Sequence, residues 1–397
     1  MNELLDRSNA LILGVSLDFQ RSLLEEVRWN NRLIGIKGAR GTGKTTLLLQ
    51  WLKLRNQPAD KAAYFTLDDL YFTTHSLREL AREFYLNGGR ILVLDEVHRY
   101  SNWSLEIKNL YDLYPDLRIV FTGSSVVDIT RQEADLSRRA LMYELPGLSY
   151  REFLAVSGAG VFPVLDLGQL CADASIYRSA FPTFFHPLEA FKRYLRIGYY
   201  PIFLEDEMVV QQRIRQMVRV IIENDMSAVK DFDLRNSGKL LQLLYILSQQ
   251  VPFKPNLTDL AAKTGIHRNT LNTYLYYLEQ ARLIHLLRPA GITDGVLQKP
   301  EKIYLDNPSV LFALAESEPN KGNLRETFFL SQLKTNHQVR AVAKGDFLVD
   351  NKFTFEIGGK SKTEKQVRGL PSAFIVKDDI EWPIGKAIPL WMFGMLY

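Results

Sequence analysis

The stretch from Arg32 to Thr46, RLIGIKGARGTGKTT, constrains the fold more tightly than any other part of the chain. A short apolar run passes directly into a glycine-rich turn. The turn passes directly into KTTLLLQWLKL, a run with the length and apolar content of a helix. Gly38, Gly43, Lys44 and Thr45 fit the spacing G-x-x-x-x-G-K-[ST] without a mismatch. In such a turn successive backbone N–H groups point inward and make a concave anion site at a helix N-terminus. Further apolar runs supply a sheet to carry it: AAYFTL (Ala62–Leu67), RILVLDE (Arg90–Glu96), RIVFTGSS (Arg118–Ser125) and ALMYEL (Ala140–Leu145). The best of them are near-continuous in Ile, Leu and Val, as strands covered on both faces are. Longer amphipathic runs separate them. Residues 1–148 are therefore expected to form a parallel α/β sheet with crossover helices.

That arrangement resembles the P-loop NTPase sheet with flanking helices, and the cofactors expected with it are ATP and Mg²⁺. Gly38, Ala39, Arg40, Gly41, Thr42, Gly43, Lys44, Thr45 and Thr46 are the candidates for holding the nucleotide. Lys44 is expected to reach the outer phosphates and the Thr45 hydroxyl to help hold Mg²⁺. The second half of such a site is an acid at the end of a buried strand, where open α/β sheets place their ligands. ILVLDE supplies Asp95 to orient Mg²⁺ and Glu96 to polarise the attacking water. An acid beside the Mg²⁺ aspartate favours hydrolysis over transfer to a second substrate. The strand RIVFTGSS brings Thr122, Ser124 and Ser125 to the same edge, with Ser124 the candidate sensor of the γ-phosphate. Arg138 and Arg139, just before the last strand, are candidates for stabilising transition-state charge.

The rest of the chain divides by pattern. Residues 149–237 read as a mostly helical lid or linker, punctuated at FPTFFHP and GYYP. Residues 238–298 read as a winged helix. Within them, NLTDLAAKTGIHRNTLNTYLYYLEQARLI (Asn256–Ile284) has helix-turn-helix spacing, with Asn256 or Thr258 as cap and Gly265 in the turn. The polar face of the second helix offers Arg268, Asn269, Asn272 and Thr273, side chains able to meet bases or phosphates. Residues 299–397 alternate like strands and read as a small α+β domain. There, GDFLVDNKFTFEIGGKSK resembles the restriction-endonuclease core, in which two acids bind Mg²⁺ and a lysine on the same strand face activates water. Asp346 and Glu356 are the candidate acids, Glu326 a third on a preceding helix, and Lys360 the candidate lysine. The usual E-x-K is broken here to Glu356-Ile-Gly-Gly-Lys360, so either a bulge returns Lys360 or the site is dead. From Arg340 to Arg368 seven Lys/Arg face four Asp/Glu, a local balance of +3.

Taken together, GARGTGKTTLL, ILVLDEVHRYSNWSLEIKNLYD, IVFTGSS, YELPGLSYREFL, GYYP and IPLWMFGMLY resemble a family of prokaryotic AAA-type ATPases. Members carry a winged helix and a C-terminal domain of unknown function related to the restriction-endonuclease fold. The resemblance runs through essentially the whole chain. It implies an ATPase core with Lys44, Thr45, Asp95 and Glu96 in their usual roles. His98 and Trp103 match positions the family often fills, without an established role. The family frequently has Gly-Arg where this chain has Arg138-Arg139, which makes Arg139 the matching arginine.

The expected function is that of an ATP-binding and ATP-hydrolysing AAA-type protein whose nucleotide state switches its C-terminal modules. Three purposes compete: a DNA-responsive ATPase acting on duplex DNA, a slow switch binding a protein partner, and an ATP-coupled nuclease. For the second, the aromatic-rich tail DIEWPIGKAIPLWMFGMLY is the candidate docking surface. Arginines of this kind also act between copies, so a homo-oligomer is a further expectation. A net charge of +4 over 397 residues permits nucleic-acid contact without arguing for it. The single cysteine, Cys171, excludes an internal disulfide and a multi-thiolate zinc site, and fits a reducing compartment. No apolar run approaches the roughly 18 residues that span a bilayer, and the opening MNELLDRSNA is no secretory signal. A cytoplasmic protein without membrane contact is expected.

Overall fold

Five of the apolar runs form strands close to where the pattern puts them: β1 (Leu33–Lys37), β2 (Ala62–Thr66), β3 (Ile91–Asp95), β4 (Arg118–Gly123) and β5 (Leu141–Glu144). They belong to a computed structural model that describes residues 1–123, 136, 138–226, 234–249, 256–289, 300–363, 367 and 369–397. All five run parallel in the order β2-β3-β4-β1-β5. Alternation along the strands feeds two cores. Leu92, Leu94, Ile119 and Phe121 meet the helices Leu77–Leu86 and Trp103–Leu113 on one face. Ile34, Ile36, Tyr64, Val93 and Val120 meet the helix Lys44–Arg55 on the other. With both faces of β1 to β4 covered, nothing selects polar residues at alternate positions there, which is why those four read as largely apolar runs, whereas β5 at the sheet edge is only partly buried. From β1 the chain crosses to β2, and from β4 it crosses the opposite way to β5. Neighbouring strands whose connections part in this way open a crevice at their carboxyl ends.

The chain divides into two compact units, Met1–Pro146 and Gly147–Tyr397. The second unit begins with the helix Tyr150–Val156, whose start is a capping box between Ser149 and Glu152. Further on, the helices Ser237–Gln249, Leu257–Thr264 and Arg268–Gln280 precede an antiparallel ribbon of β6 (Ile284–Leu287) and β7 (Lys302–Leu305). Asn256 caps the second of these helices, accepting from the N–H groups of Thr258 and Asp259, and Gly265 ends it in the left-handed region. Because β7 pairs with β6, residues 302–305 belong structurally with the segment before 298. The remaining strands, β8 (Val339–Arg340), β9 (Phe347–Val349), β10 (Phe353–Gly358), β11 (Ala373–Lys377) and β12 (Ala387–Pro389), make a mixed sheet in the order β12-β11-β10-β9-β8.

One expectation is overturned here. The tail offered as a docking surface is core: Trp391, Met392, Phe393 and Met395 are all buried. Trp391 packs on Phe181, Phe185 and Trp382, and Phe393 on Phe329 and Phe355. Large apolar side chains at this density satisfy each other before they meet a partner. Among the described residues, no helix is long and apolar enough to cross a membrane.

Candidate nucleotide-binding site

β1 ends at Lys37, and the backbone then curls through Gly41 (φ 80°) and Gly43 (φ 92°) before the helix starts at Lys44. Both angles lie in the region that side-chain-bearing residues avoid. Gly38 is required for a different reason. A Cβ there would lie 2.4 Å from the Leu145 carbonyl oxygen, where the chain leaves β5. Inside the curl, the buried Lys44 ammonium donates to the carbonyls of Gly38 (3.0 Å) and Ala39 (2.9 Å). The Thr42 hydroxyl also donates to Ala39 O, at 2.9 Å. Outside it, the buried Arg21 guanidinium donates to the Thr42 carbonyl at 2.9 Å and to the Pro146 carbonyl at 2.8 Å. One side chain thus ties the tip of the loop to the last residue of the first unit. Nothing in the local pattern around Arg21 signals this.

Asp95 ends β3 and is only 1% exposed. Its Oδ2 accepts from the Thr45 hydroxyl (2.5 Å) and the Tyr64 phenol (2.8 Å). Its Oδ1 accepts from the Thr122 hydroxyl and from the Glu96 N–H at 3.1 Å. Thr45, Asp95 and Thr122, all candidates from the sequence, are brought together here, although Thr122 is spent on Asp95. Tyr64 was missed. The available signal was a tyrosine in mid-strand on a buried face, since a buried phenol needs a partner. Burial, and then the Asp95 carboxylate, push this phenol up, so it remains a donor. A hydroxyl and a carboxylate side by side at the edge of the loop are oxygen donors of the kind Mg²⁺ takes, and the residues present fit that ion.

Glu96 follows at φ 53°, a left-handed conformation for a residue with a side chain. Its side chain is 24% exposed, so the two adjacent acids differ in access to solvent. The buried His98 imidazole stands 3.4 Å from Glu96. Burial holds its pKa down to about 3, helped by the nearby cations Arg99, Lys44 and Arg40, so it is neutral near pH 7. Trp103, the other family position, is core against Phe121.

The structure does not bring Arg139 to the loop of its own chain. Arg139 precedes β5, whose Leu141 is level with Ile34 near the start of β1, whereas the loop follows the end of β1. Its guanidinium forks onto Asp112, both contacts at 3.0 Å. Strand direction, not sequence distance, decides this: residues just before a parallel strand lie at its amino edge. Arg138 beside it is exposed. Ser124 and Ser125 lie outside the described residues.

In the second unit, Arg268 and Asn269 are exposed at the start of the helix Arg268–Gln280, and Asn272 is half-buried one turn on. The acids Glu326, Asp346 and Glu356 are drawn into one polar cluster, but not in the expected arrangement. The Lys302 ammonium sits between Glu326 (3.4 Å) and Asp346 (3.5 Å), and Tyr304 donates to Glu326 at 2.6 Å. Lys360 is exposed and does not join them. Lys362 pairs with Glu356 instead. The reason is Gly358, two residues after Glu356 where E-x-K has its lysine. A Cβ at Gly358 would lie 2.6 Å from Lys362 Cδ, so the stem of Lys362 occupies the space a residue-358 side chain would fill. Burial pushes both Glu326 and Glu356 up. The position a cation would share between Glu326 and Asp346 holds an ammonium group.

Residues 30–154 match an AAA domain family, and residues 188–321 match a domain of unknown function (DUF8612). The chain therefore carries an AAA-type P-loop ATPase domain. An uncharacterized protein of Methanocaldococcus jannaschii is 31% identical over 285 residues, covering 68% of this chain. The chain spans 60% of the length of that relative. Among solved structures, a Walker-type ATPase of Pyrococcus abyssi is similar with a TM-score of 0.42 and 15% identity, over 75% of this chain and 95% of that one. The Orc1 protein of Aeropyrum pernix in complex with DNA is similar with a TM-score of 0.33 and 14% identity, over 79% of this chain and 91% of that one.

Proposed function

We propose that this chain binds ATP with Mg²⁺ and hydrolyses it, and that the nucleotide state changes how the second unit engages duplex DNA. The observation that carries this is the gathering of Lys44, Thr45, Asp95 and Glu96 at one sheet edge, with Asp95 buried and Glu96 partly exposed. Lys44 leaves the Gly38 and Ala39 carbonyls for the outer phosphates, while the loop N–H groups take their oxygens. Thr45 and Asp95 hold Mg²⁺, which when bound offsets phosphate charge. Glu96 is the group with both acidity and access, and it orients and deprotonates the attacking water. The neutral His98 beside it is too weak a base for that task. A role for Arg139 at this site requires a second copy of the chain, since in its own copy it lies at the opposite sheet edge. Arg268, Asn269 and Asn272 are the side chains that would meet DNA.

The test is steady-state ATP hydrolysis with Mg²⁺, with and without duplex DNA, alongside Glu96→Gln, and calorimetric ATP binding by Lys44→Ala. We expect hydrolysis raised by DNA and lost in Glu96→Gln, and ATP affinity collapsed in Lys44→Ala while the fold survives. Unchanged ATP binding by Lys44→Ala refutes the site. A rate indifferent to DNA refutes the DNA link and favours a nucleotide-gated protein-binding unit. One observation favours that second reading: Val161 and Phe184 of the second unit are 85% and 80% exposed.

A further inference from the structure

The Asp95 carboxylate is saturated. An ionised carboxylate offers about four lone-pair positions. Thr45 and Tyr64 take those of Oδ2, at 2.5 and 2.8 Å. The Thr122 hydroxyl and the Glu96 N–H take those of Oδ1. For Asp95 to hold a hydrated divalent cation beside Thr45, one of these donors has to let go. The Glu96 N–H is fixed by the backbone at the strand end. Thr45 can keep its single proton on Asp95 while its lone pairs face the cation. Thr122 serves the other oxygen, and its own oxygen also accepts from Glu96 N at 3.4 Å. Tyr64 shares Oδ2 with Thr45, the residue nearest the loop, and is the donor in the way.

We propose that Tyr64 is a positioning residue that occupies the Asp95 acceptor a hydrated Mg²⁺ needs, and so sets how much Mg²⁺ the nucleotide site requires. This rests on the reading of Asp95 as a Mg²⁺ residue. Tyr64 sits in mid-strand on β2, its ring held within the core beneath the helix Lys44–Arg55, so only the hydroxyl reaches the site. Three donors remain on Asp95 without it, which keeps the carboxylate aimed. Removing the phenol oxygen therefore frees an acceptor without releasing the acid. The effect on Mg²⁺ is a gain, opposite to what loss of a supporting contact would produce.

The experiment is calorimetric titration of ADP into the full chain across a range of Mg²⁺ concentrations, for the native protein and Tyr64→Phe. In EDTA the variant is expected to bind ADP within about twofold of native. Its half-saturating Mg²⁺ is expected to fall about three- to tenfold, the range set by one competing hydrogen bond. In an Asp95→Asn background, Tyr64→Phe should produce no further change. Half-saturating Mg²⁺ that is unchanged or raised overturns the proposal, as does a shift that persists without Asp95. A measurement on the native chain covers a variant that fails to fold. With tyrosine labelled at Cζ, the Tyr64 resonance should move when Mg²⁺ is added to the ADP-bound protein, and a resonance indifferent to Mg²⁺ overturns the proposal. Native protein that binds ADP without any Mg²⁺ dependence removes the reading of Asp95 itself, and this inference with it. Mg²⁺-dependent native binding with an unaltered variant removes this inference alone.

Discussion

Replacing Arg21 with Met tests whether the phosphate loop is held by the chain segment that leaves the first unit. Methionine keeps the apolar stem and removes the fork. Two hydrogen bonds are lost, a buried one to Thr42 O at 2.9 Å and a part-buried one to Pro146 O at 2.8 Å. Hydrogen bonds from a charged donor contribute about 1.5–3 kcal/mol each, and a buried carbonyl left without a donor costs about 1–3 kcal/mol. The guanidinium's own desolvation is relieved by the change, so the lower end applies, and about 2–4 kcal/mol in total is expected. For a unit of this size, each kcal/mol moves Tm by roughly 3–4 °C, giving a loss of roughly 6–16 °C. Differential scanning calorimetry of the full chain should show the transition of the first unit moving down and that of the second unit in place. ATP affinity should fall too, because the Thr42 end of the loop loses its anchor. Arg21→Lys should recover less than half, since one ammonium cannot reproduce a planar two-pronged donor. A melting point for Arg21→Met within about 2 °C of native would refute the reasoning, because no buried two-carbonyl clamp can be removed so cheaply.

Other predictions follow from single side chains. Gly358→Ala puts a Cβ 2.6 Å from the Lys362 stem, displacing the ammonium that pairs with the buried Glu356. The variant should lose about 2–4 kcal/mol by denaturant titration, and in a Lys362→Met background, whose stem still meets the Cβ but carries no charge, the loss should shrink to its steric part; full additivity would count against the pairing. His98 is held down to about 3 by burial, below its ordinary value of 6.5, so the unfolded chain binds a proton that the folded one refuses as pH falls through 6.5. Stability is complete above that value and is lost toward pH 3, with a slope approaching about 1.4 kcal/mol per pH unit. His98→Asn should flatten the fall between pH 6.5 and 5 in urea titrations, and parallel curves would contradict a buried neutral imidazole.

The phosphate loop, the Asp95–Glu96 pair and the five parallel strands were legible in the sequence because each is written in consecutive residues. A strand buried on both faces has to be apolar throughout, and a loop that offers its N–H groups to an anion has to carry glycine at fixed places. The ends of the helix Leu257–Thr264 were legible for the same reason, through the Asn256 cap and the left-handed Gly265. Other features depended on which strands become neighbours and in which direction they run. Tyr64 reaches Asp95 only because β2 pairs with β3, with Tyr64 opposite Val93. Arg139 falls at the wrong edge because parallel strands put everything that precedes them at the amino end. Lys362 replaces Lys360 because a missing side chain at Gly358 leaves room for a lysine returning from outside the strand. Arg21 joins Thr42 to Pro146 across a separation that no local pattern records. Hydrogen bonds and ion pairs act over a few ångströms of space. Sequence periodicity specifies which residues face inward, but only closure of the sheet specifies which of them meet.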